Sequence, residues 1–288
     1  MTKLPIAIAI AITAACLAAT AALARPEAEA TYQDIQKTLG SVPTFLRAFP
    51  EEGIAAAWDE LKSVQLNPHS ALDGATKELI GLAVAAQIPC KYCVYFHTRV
   101  GKLNGASDRD VKEAIAMAAI TRHWSTVLNG MQIDLVEFKQ EMARVFTYVQ
   151  HPTATGAPAP VTDAASAYRD IERTLGSVPT FLRRFPESGI APAWREMKSV
   201  QLNPATSLSG KRKELIGLAV AAQIPCAYCV AFHTQAAMLN GASDAEIREA
   251  VAMAAITRHW STVLNGSLID EAQFRKEVDQ IVAHAKKK

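Results

Sequence analysis

The sequence predicts an all-α fold. Long alanine- and leucine-rich segments are punctuated by Asn-Gly and Pro, and no stretch alternates β-branched and polar residues as a strand would. Residues that start and stop helices flank these segments at helical spacing. The same helical unit is also written twice: Tyr32-Gln33-Asp34-Ile35 returns as Tyr168-Arg169-Asp170-Ile171, 136 residues later. Roughly 70 % of positions in 32–142 match their partners in 168–278, so the chain is a tandem duplication of one domain-sized unit.

Composition narrows the function classes. Half of the 288 residues are hydrophobic and a fifth are charged, which excludes a disordered chain. The net charge of +2, with only a short Lys286-Lys287-Lys288 run, gives no field for binding nucleic acid. Five cysteines are too few for a disulfide scaffold.

Residues 1–24 read as a secretory signal peptide. Met1-Thr2-Lys3 supplies a short positive start, Leu4 to Ala24 carries no charge, and Ala22-Leu23-Ala24 forms an A-x-A cleavage site before Arg25. A retained membrane anchor is the competing reading, disfavoured by the alanine-rich, small-residue end of the stretch. Cys16 would leave with the signal. The four remaining cysteines would then face an oxidising compartment, periplasmic or secreted, with no membrane attachment after cleavage. The expected layout is a signal over 1–24, a first helical domain over 25–148, an Ala/Pro linker over 149–163 and a second helical domain over 164–288.

Within each repeat a helix is expected after Asp73 (Ser209 in repeat two), since both are N-cap residues, ending before Pro89 (Pro225). Its segment from Leu79 to Ile88 is apolar except for Gln87, so it should be buried on most sides. The next helix should run from about Cys90 to Asn104 and stop at Gly105. Another should start at Ser107, whose counterpart Ser243-Asp244-Ala245-Glu246 has capping-box spacing, and continue through Trp124 towards Gly130. Trp58, Trp194, Phe45 and Phe181 are expected in the core or at a subunit interface, and His123-Trp124 and His259-Trp260 as packing pairs.

The chemistry concentrates at two Cys-x-x-Cys motifs. Repeat one holds Glu78, Cys90-Lys91-Tyr92-Cys93 and His97; repeat two holds Glu214, Cys226-Ala227-Tyr228-Cys229 and His233. Val94 and Val230 follow the second cysteines, which excludes c-type haem attachment, and no βαβ context supports a thioredoxin-like site. A Cys/Cys/His metal site is a competing reading, because Cys93 and His97 lie one helical turn apart; a structural disulfide is another. A redox reading uses more of the pattern. Pro89 places Cys90 at a helix N-terminus, where the dipole and free amides favour thiolate. Glu78 sits on an otherwise apolar helix and needs a partner, for which an imidazole is suited. Glu, His and Cys then have the orienter, base and nucleophile logic of an activated thiol. A second thiol three residues away can close a peroxide-generated sulfenic acid to a disulfide.

Glu78 followed by Cys90-x-x-Cys93-x-x-x-His97, repeated as Glu214 and Cys226-x-x-Cys229-x-x-x-His233, resembles the signature of alkylhydroperoxidase D-like proteins of the carboxymuconolactone decarboxylase family. The resemblance implies an all-helical fold, homo-oligomers, and thiol-dependent peroxidase activity with neither metal nor cofactor. It implies that Cys93 and Cys229 attack peroxide, that Cys90 and Cys226 resolve, and that His97, His233, Glu78 and Glu214 relay protons. The decarboxylase branch lacks the cysteine pair. Some members carry His between the cysteines, where this chain has Tyr92 and Tyr228. The implied partners are a peroxide or other small molecule, a thiol reductant of unassigned identity and further copies of the chain. The different-class alternative is a metal-binding or redox-sensing module without peroxidase turnover.

Overall fold

The computed structural model describes residues 26–154 and 159–288. The expected signal segment 1–24, Cys16 within it, and linker residues 155–158 lie outside the described residues. The protein is all-α: among the described residues no strand occurs. Repeat one consists of α1 (26–39), α2 (Thr44–Arg47), α3 (Glu51–Val64), α4 (Gly74–Gln87), α5 (Lys91–Leu103), α6 (Asp108–Gly130) and α7 (Leu135–Gln150). Repeat two consists of α8 (Ala164–Leu175), α9 (Thr180–Arg184), α10 (Glu187–Val200), α11 (Gly210–Gln223), α12 (Ala227–Leu239), α13 (Asp244–Gly266) and α14 (Glu271–Ala285).

The caps are those the sequence announces. Asp73 accepts from Thr76 N–H at the start of α4, and Ser209 accepts from Arg212 N–H at the start of α11. Ser107 and Asp110 form a reciprocal box at α6, and Ser243 and Glu246 exchange the same two bonds before α13. α4 is buried from Thr76 to Ala85, as its lack of a polar face requires.

The helices form two compact units that do not follow the repeat boundary. The first comprises the described residues up to Asn67 together with Thr262–Lys288. In it, α14 of repeat two packs on the opening helices of repeat one: the Thr44 N–H donates to Glu277 Oε2 (3.0 Å), and the Phe45 and Phe274 rings meet edge-on at 5.8 Å. Trp58 is buried and donates its indole N–H to Asp34, which also pairs with Lys62 at 2.7 Å.

The second unit runs from Pro68 to Ser261. Here the mirror arrangement appears: α7 of repeat one packs on α8 and α12 of repeat two. Thr180 N–H donates to Glu141 Oε2 (3.0 Å), and Phe138 meets Phe181 at 5.9 Å. Trp194 donates to Asp170 as Trp58 does to Asp34. Each repeat thus gives its last helix to cover the opening helices of the other. α4, α6 and α11 pack mutually at the centre of the unit.

Two buried ion pairs tie the repeats together around that centre. Lys77 on α4, 1 % exposed, reaches Glu249 on α13 at 3.1 Å, and Lys213 on α11 reaches Glu113 on α6 at 3.2 Å. Glu249 also accepts from Ser70 Oγ (2.6 Å) and Leu72 N–H (3.1 Å). Burial pushes the Glu249 carboxyl up, but the Ser70 hydrogen bond, the Lys77 contact and charge, and the Leu72 N–H together hold it below the ordinary carboxylate value. A depressed carboxyl stabilises the fold above its unfolded value and loses that contribution as pH falls through the folded one. Glu249→Gln is therefore expected to cost about 3 kcal/mol at pH 7, by removing the negative charge that faces the buried Lys77 ammonium. Denaturant titration should find the deficit shrinking as pH falls below the ordinary carboxylate value and through the depressed folded one, where the wild-type carboxyl is itself protonated. Equal stability at pH 7 would contradict the pairing.

Candidate active site at the paired cysteines

The site of each repeat is built on two adjacent helices. α4 presents Glu78 and α5 carries Cys90, Cys93 and His97; in repeat two, α11 presents Glu214 and α12 carries Cys226, Cys229 and His233. Cys90 and Cys226 are the N-cap residues of their helices, and each Sγ accepts the backbone N–H three residues on, at 3.2 Å. Both pairs are closed as disulfides, Cys90 to Cys93 and Cys226 to Cys229, with Cα atoms 5.3 Å apart. Cys90 and Cys226 are fully buried, and Cys93 and Cys229 nearly so.

Behind each pair lies a buried carboxylate–imidazole couple. His97 Nδ1 is 2.7 Å from Glu78 Oε2, and His233 Nδ1 is 2.7 Å from Glu214 Oε2; all four side chains are at most 5 % exposed. An Nδ1–H given to the carboxylate fixes the ring and leaves Nε2 for chemistry. The structure thus brings together the eight sequence-predicted residues as two matching sets of four.

Several further residues complete the sites, and the sequence motif does not contain them. Gly81 on α4 and Gly217 on α11 lie directly against the imidazoles: a Cβ added there would fall 2.6 Å from His97 Nε2 and 2.7 Å from His233 Nε2. A glycine interrupting an apolar helical run is a signal that could have found them. Gln201 donates to Glu214 Oε1 at 3.2 Å, holding the second carboxylate oxygen. Nε2 of each histidine faces a threonine of the other repeat, His97 toward Thr257 (3.5 Å) and His233 toward Thr121 (3.4 Å). Thr257 Oγ1 donates its hydrogen to Met253 O (2.8 Å), so its lone pairs are what it offers to His97 Nε2–H.

Tyr228, between the cysteines of repeat two, donates its hydroxyl to Ile133 O of repeat one at 2.5 Å, and its ring meets Phe138 edge-on. The phenol is tied to the neighbouring repeat. Trp124 is buried against Phe181 and Phe185, the packing role expected of it.

A cavity of about 70 Å³ adjoins the site of repeat two. Cys229, His233 and Thr121 line it, with Trp124, Phe138 and Phe232 among the apolar residues around them. Cys226 does not line it. Among the described residues no group of three or more His, Cys, Asp or Glu side chains is arranged to hold a metal ion.

The sequence matches the family model "Carboxymuconolactone decarboxylase family" over residues 52–134 and again over 190–271, more than half of the chain. The chain belongs to the carboxymuconolactone decarboxylase family. It carries the family unit twice, in the same two places as the internal repeat. A crystal structure from Burkholderia xenovorans, with the working description gamma-carboxymuconolactone decarboxylase subunit, is similar in fold. The TM-score is 0.54 at 17 % identity, covering 90 % of this chain and 98 % of that one. At that identity the likeness is one of fold. Among curated proteins none matches. Among the described residues, no helix is long and apolar enough to cross a membrane.

Proposed function

We propose that this family member is a thiol-dependent peroxidase with a reactive pair in each repeat. The observation that carries the reading is the asymmetry of the second pair. Cys229 opens onto a cavity that His233 also lines, with Glu214 fixed behind His233, whereas Cys226 is sealed from it.

The reaction starts from the reduced pair. His233 takes the Cys229 proton and is stabilised as imidazolium by the Glu214 carboxylate. The Cys229 thiolate attacks the terminal peroxide oxygen and the O–O bond breaks. His233 returns its proton to the departing alkoxide, which leaves as alcohol. Cys229 is now a sulfenic acid. The Cys226 thiolate attacks its sulfur, the S–O bond breaks, hydroxide leaves and is protonated to water, and the disulfide seen here results. A dithiol then returns two electrons. The apolar wall of the cavity suits a hydroperoxide bearing a small apolar group. Cys93, Cys90, His97 and Glu78 take the same parts in repeat one.

The reading also takes residues 1–24 as an export signal, on the sequence pattern alone. An exported peroxidase would draw on a dithiol donor other than a cytoplasmic lipoyl-bearing partner. Homo-oligomer formation belongs to the same proposal; exposed Ile115 and Val251, at matching positions of the two repeats, are apolar surface that association could cover.

A thiol count on the fully reduced chain tests the proposal. Excess hydroperoxide should consume two thiols per repeat, with mass spectrometry placing disulfides at Cys90–Cys93 and Cys226–Cys229. Thiols that persist, or that reach sulfinic acid without pairing, would reject it.

A further inference from the structure

Site two is not made by repeat two alone. Helix α6 of repeat one runs past it and presents Thr121, Ser125 and Asn129, spaced four residues apart and therefore along one face. Thr121 meets His233. Asn129 meets the sulfur that the cavity does not reach: its Nδ2 lies 3.7 Å from Cys226 Sγ and 2.8 Å from Ser125 O. An amide nitrogen has two hydrogens. One is committed to the Ser125 carbonyl, which orients the group; the other has the Cys226 sulfur within reach, with the Ser125 hydroxyl oxygen at 3.5 Å beside it.

We propose that Asn129 is a positioning residue for the thiol chemistry of repeat two, holding Cys226 as the leaving thiolate when a dithiol opens the disulfide at Cys229. The proposal rests on Cys226 and Cys229 being a redox pair. It adds that the polarity of the pair is set from across the repeat boundary.

Donors and access both single out Cys226 as the leaving sulfur. Cys226 Sγ is fully buried and receives two N–H groups, from the Cys229 backbone at 3.2 Å and from Asn129. The Cys226 N–H is spent on Ala221 O, and Pro225 before it has none. Hydrogen bonds to an ionised acceptor are much stronger than those to a neutral one. The two donors therefore favour the state in which Cys226 carries the negative charge. Access points the same way, since Cys229 lines the cavity and Cys226 does not. In the step, an external thiolate attacks Cys229 Sγ, the bond to Cys226 Sγ breaks, and Cys226 departs as thiolate. The second thiol of the donor then attacks the mixed disulfide at the donor's own sulfur and releases Cys229. The donor ends as its cyclic disulfide and the protein pair is two electrons more reduced. Asn265 stands at the matching position of repeat two.

The test uses the full chain with Cys90→Ser and Cys93→Ser, so that only the second pair reports. Dithiothreitol is the reductant, and alkylation by iodoacetamide, quantified peptide by peptide, reads the Cys226 thiolate against pH. Asn129→Ala should slow reduction about fivefold and raise the Cys226 alkylation midpoint by about 0.7 unit, the effect of losing one modest hydrogen bond. Asn129→Asp keeps the shape but sets a carboxylate against the thiolate, so both effects should be larger. Acid quenching of the parent should trap dithiothreitol on Cys229. Parent-like reduction and an unmoved Cys226 profile in both variants, or the adduct on Cys226, would overturn the proposal. None of these readouts involves peroxide, so a chain that fails to turn over peroxide would reject the peroxidase reading while leaving this result to stand or fall separately.

Discussion

Replacing Gly81 and Gly217 together by Ala will leave a helical chain whose cysteines still form disulfides but whose peroxidase turnover is lost. The added methyl groups would sit 2.6 and 2.7 Å from His97 Nε2 and His233 Nε2, closer than real carbon contacts allow. Neither ring can simply swing aside, because each is buried and held at Nδ1 by a buried carboxylate. Ring or helix must move. Overpacking of this kind costs about 1–3 kcal/mol per site, which a thermal melt would register. The larger effect is on chemistry: displacing a general acid–base removes roughly 10²–10⁴-fold of rate. Gly217→Ala alone should spare the turnover of repeat one. Retained activity in the double variant, with the helical content unchanged, would mean that the imidazoles are not used where they stand.

Much of the fold was legible because its signals are local. Asp73, Ser107 and Ser243 announce helix starts through side-chain bonds that span only three residues. Glu78 announces its imidazole partner because a buried carboxylate on an apolar helix is costly alone, and the structure supplies His97. What the sequence hid is everything donated across the repeats. Lys77 and Glu249, Thr121 and His233, and Asn129 and Cys226 lie between 97 and 172 residues apart, and no periodicity reports such pairs. The exchange of α7 and α14 was hidden for a related reason. Two near-identical repeats offer each terminal helix two near-identical docking faces, and the choice between them depends on the intervening connection. The compact units accordingly cut the chain near residue 67 and within α13, where the repeat has no boundary.

The second large effect separates the two cysteines of each pair. Cys93→Ser with Cys229→Ser removes the thiols read as attacking peroxide. What remains is Cys90 and Cys226, fully buried and, for Cys226, without access to the cavity. Such a chain should consume hydroperoxide no faster than buffer with dithiol. Cys90→Ser with Cys226→Ser should behave differently. It keeps the thiol read as attacking and its imidazole, reacts once per site, and stops at a sulfenic acid that dimedone captures on Cys93 and Cys229. The contrast distinguishes a resolving thiol from an attacking one, which a loss of activity alone would not.

Hydroperoxide consumption with dithiothreitol as donor, followed for the intact chain and for the Cys93→Ser, Cys229→Ser variant, tests the central claim most directly. The account predicts sustained, dithiol-dependent turnover by the intact chain and a rate at background in the variant. A variant that turns over as the intact chain does, or an intact chain that consumes no peroxide, would contradict it.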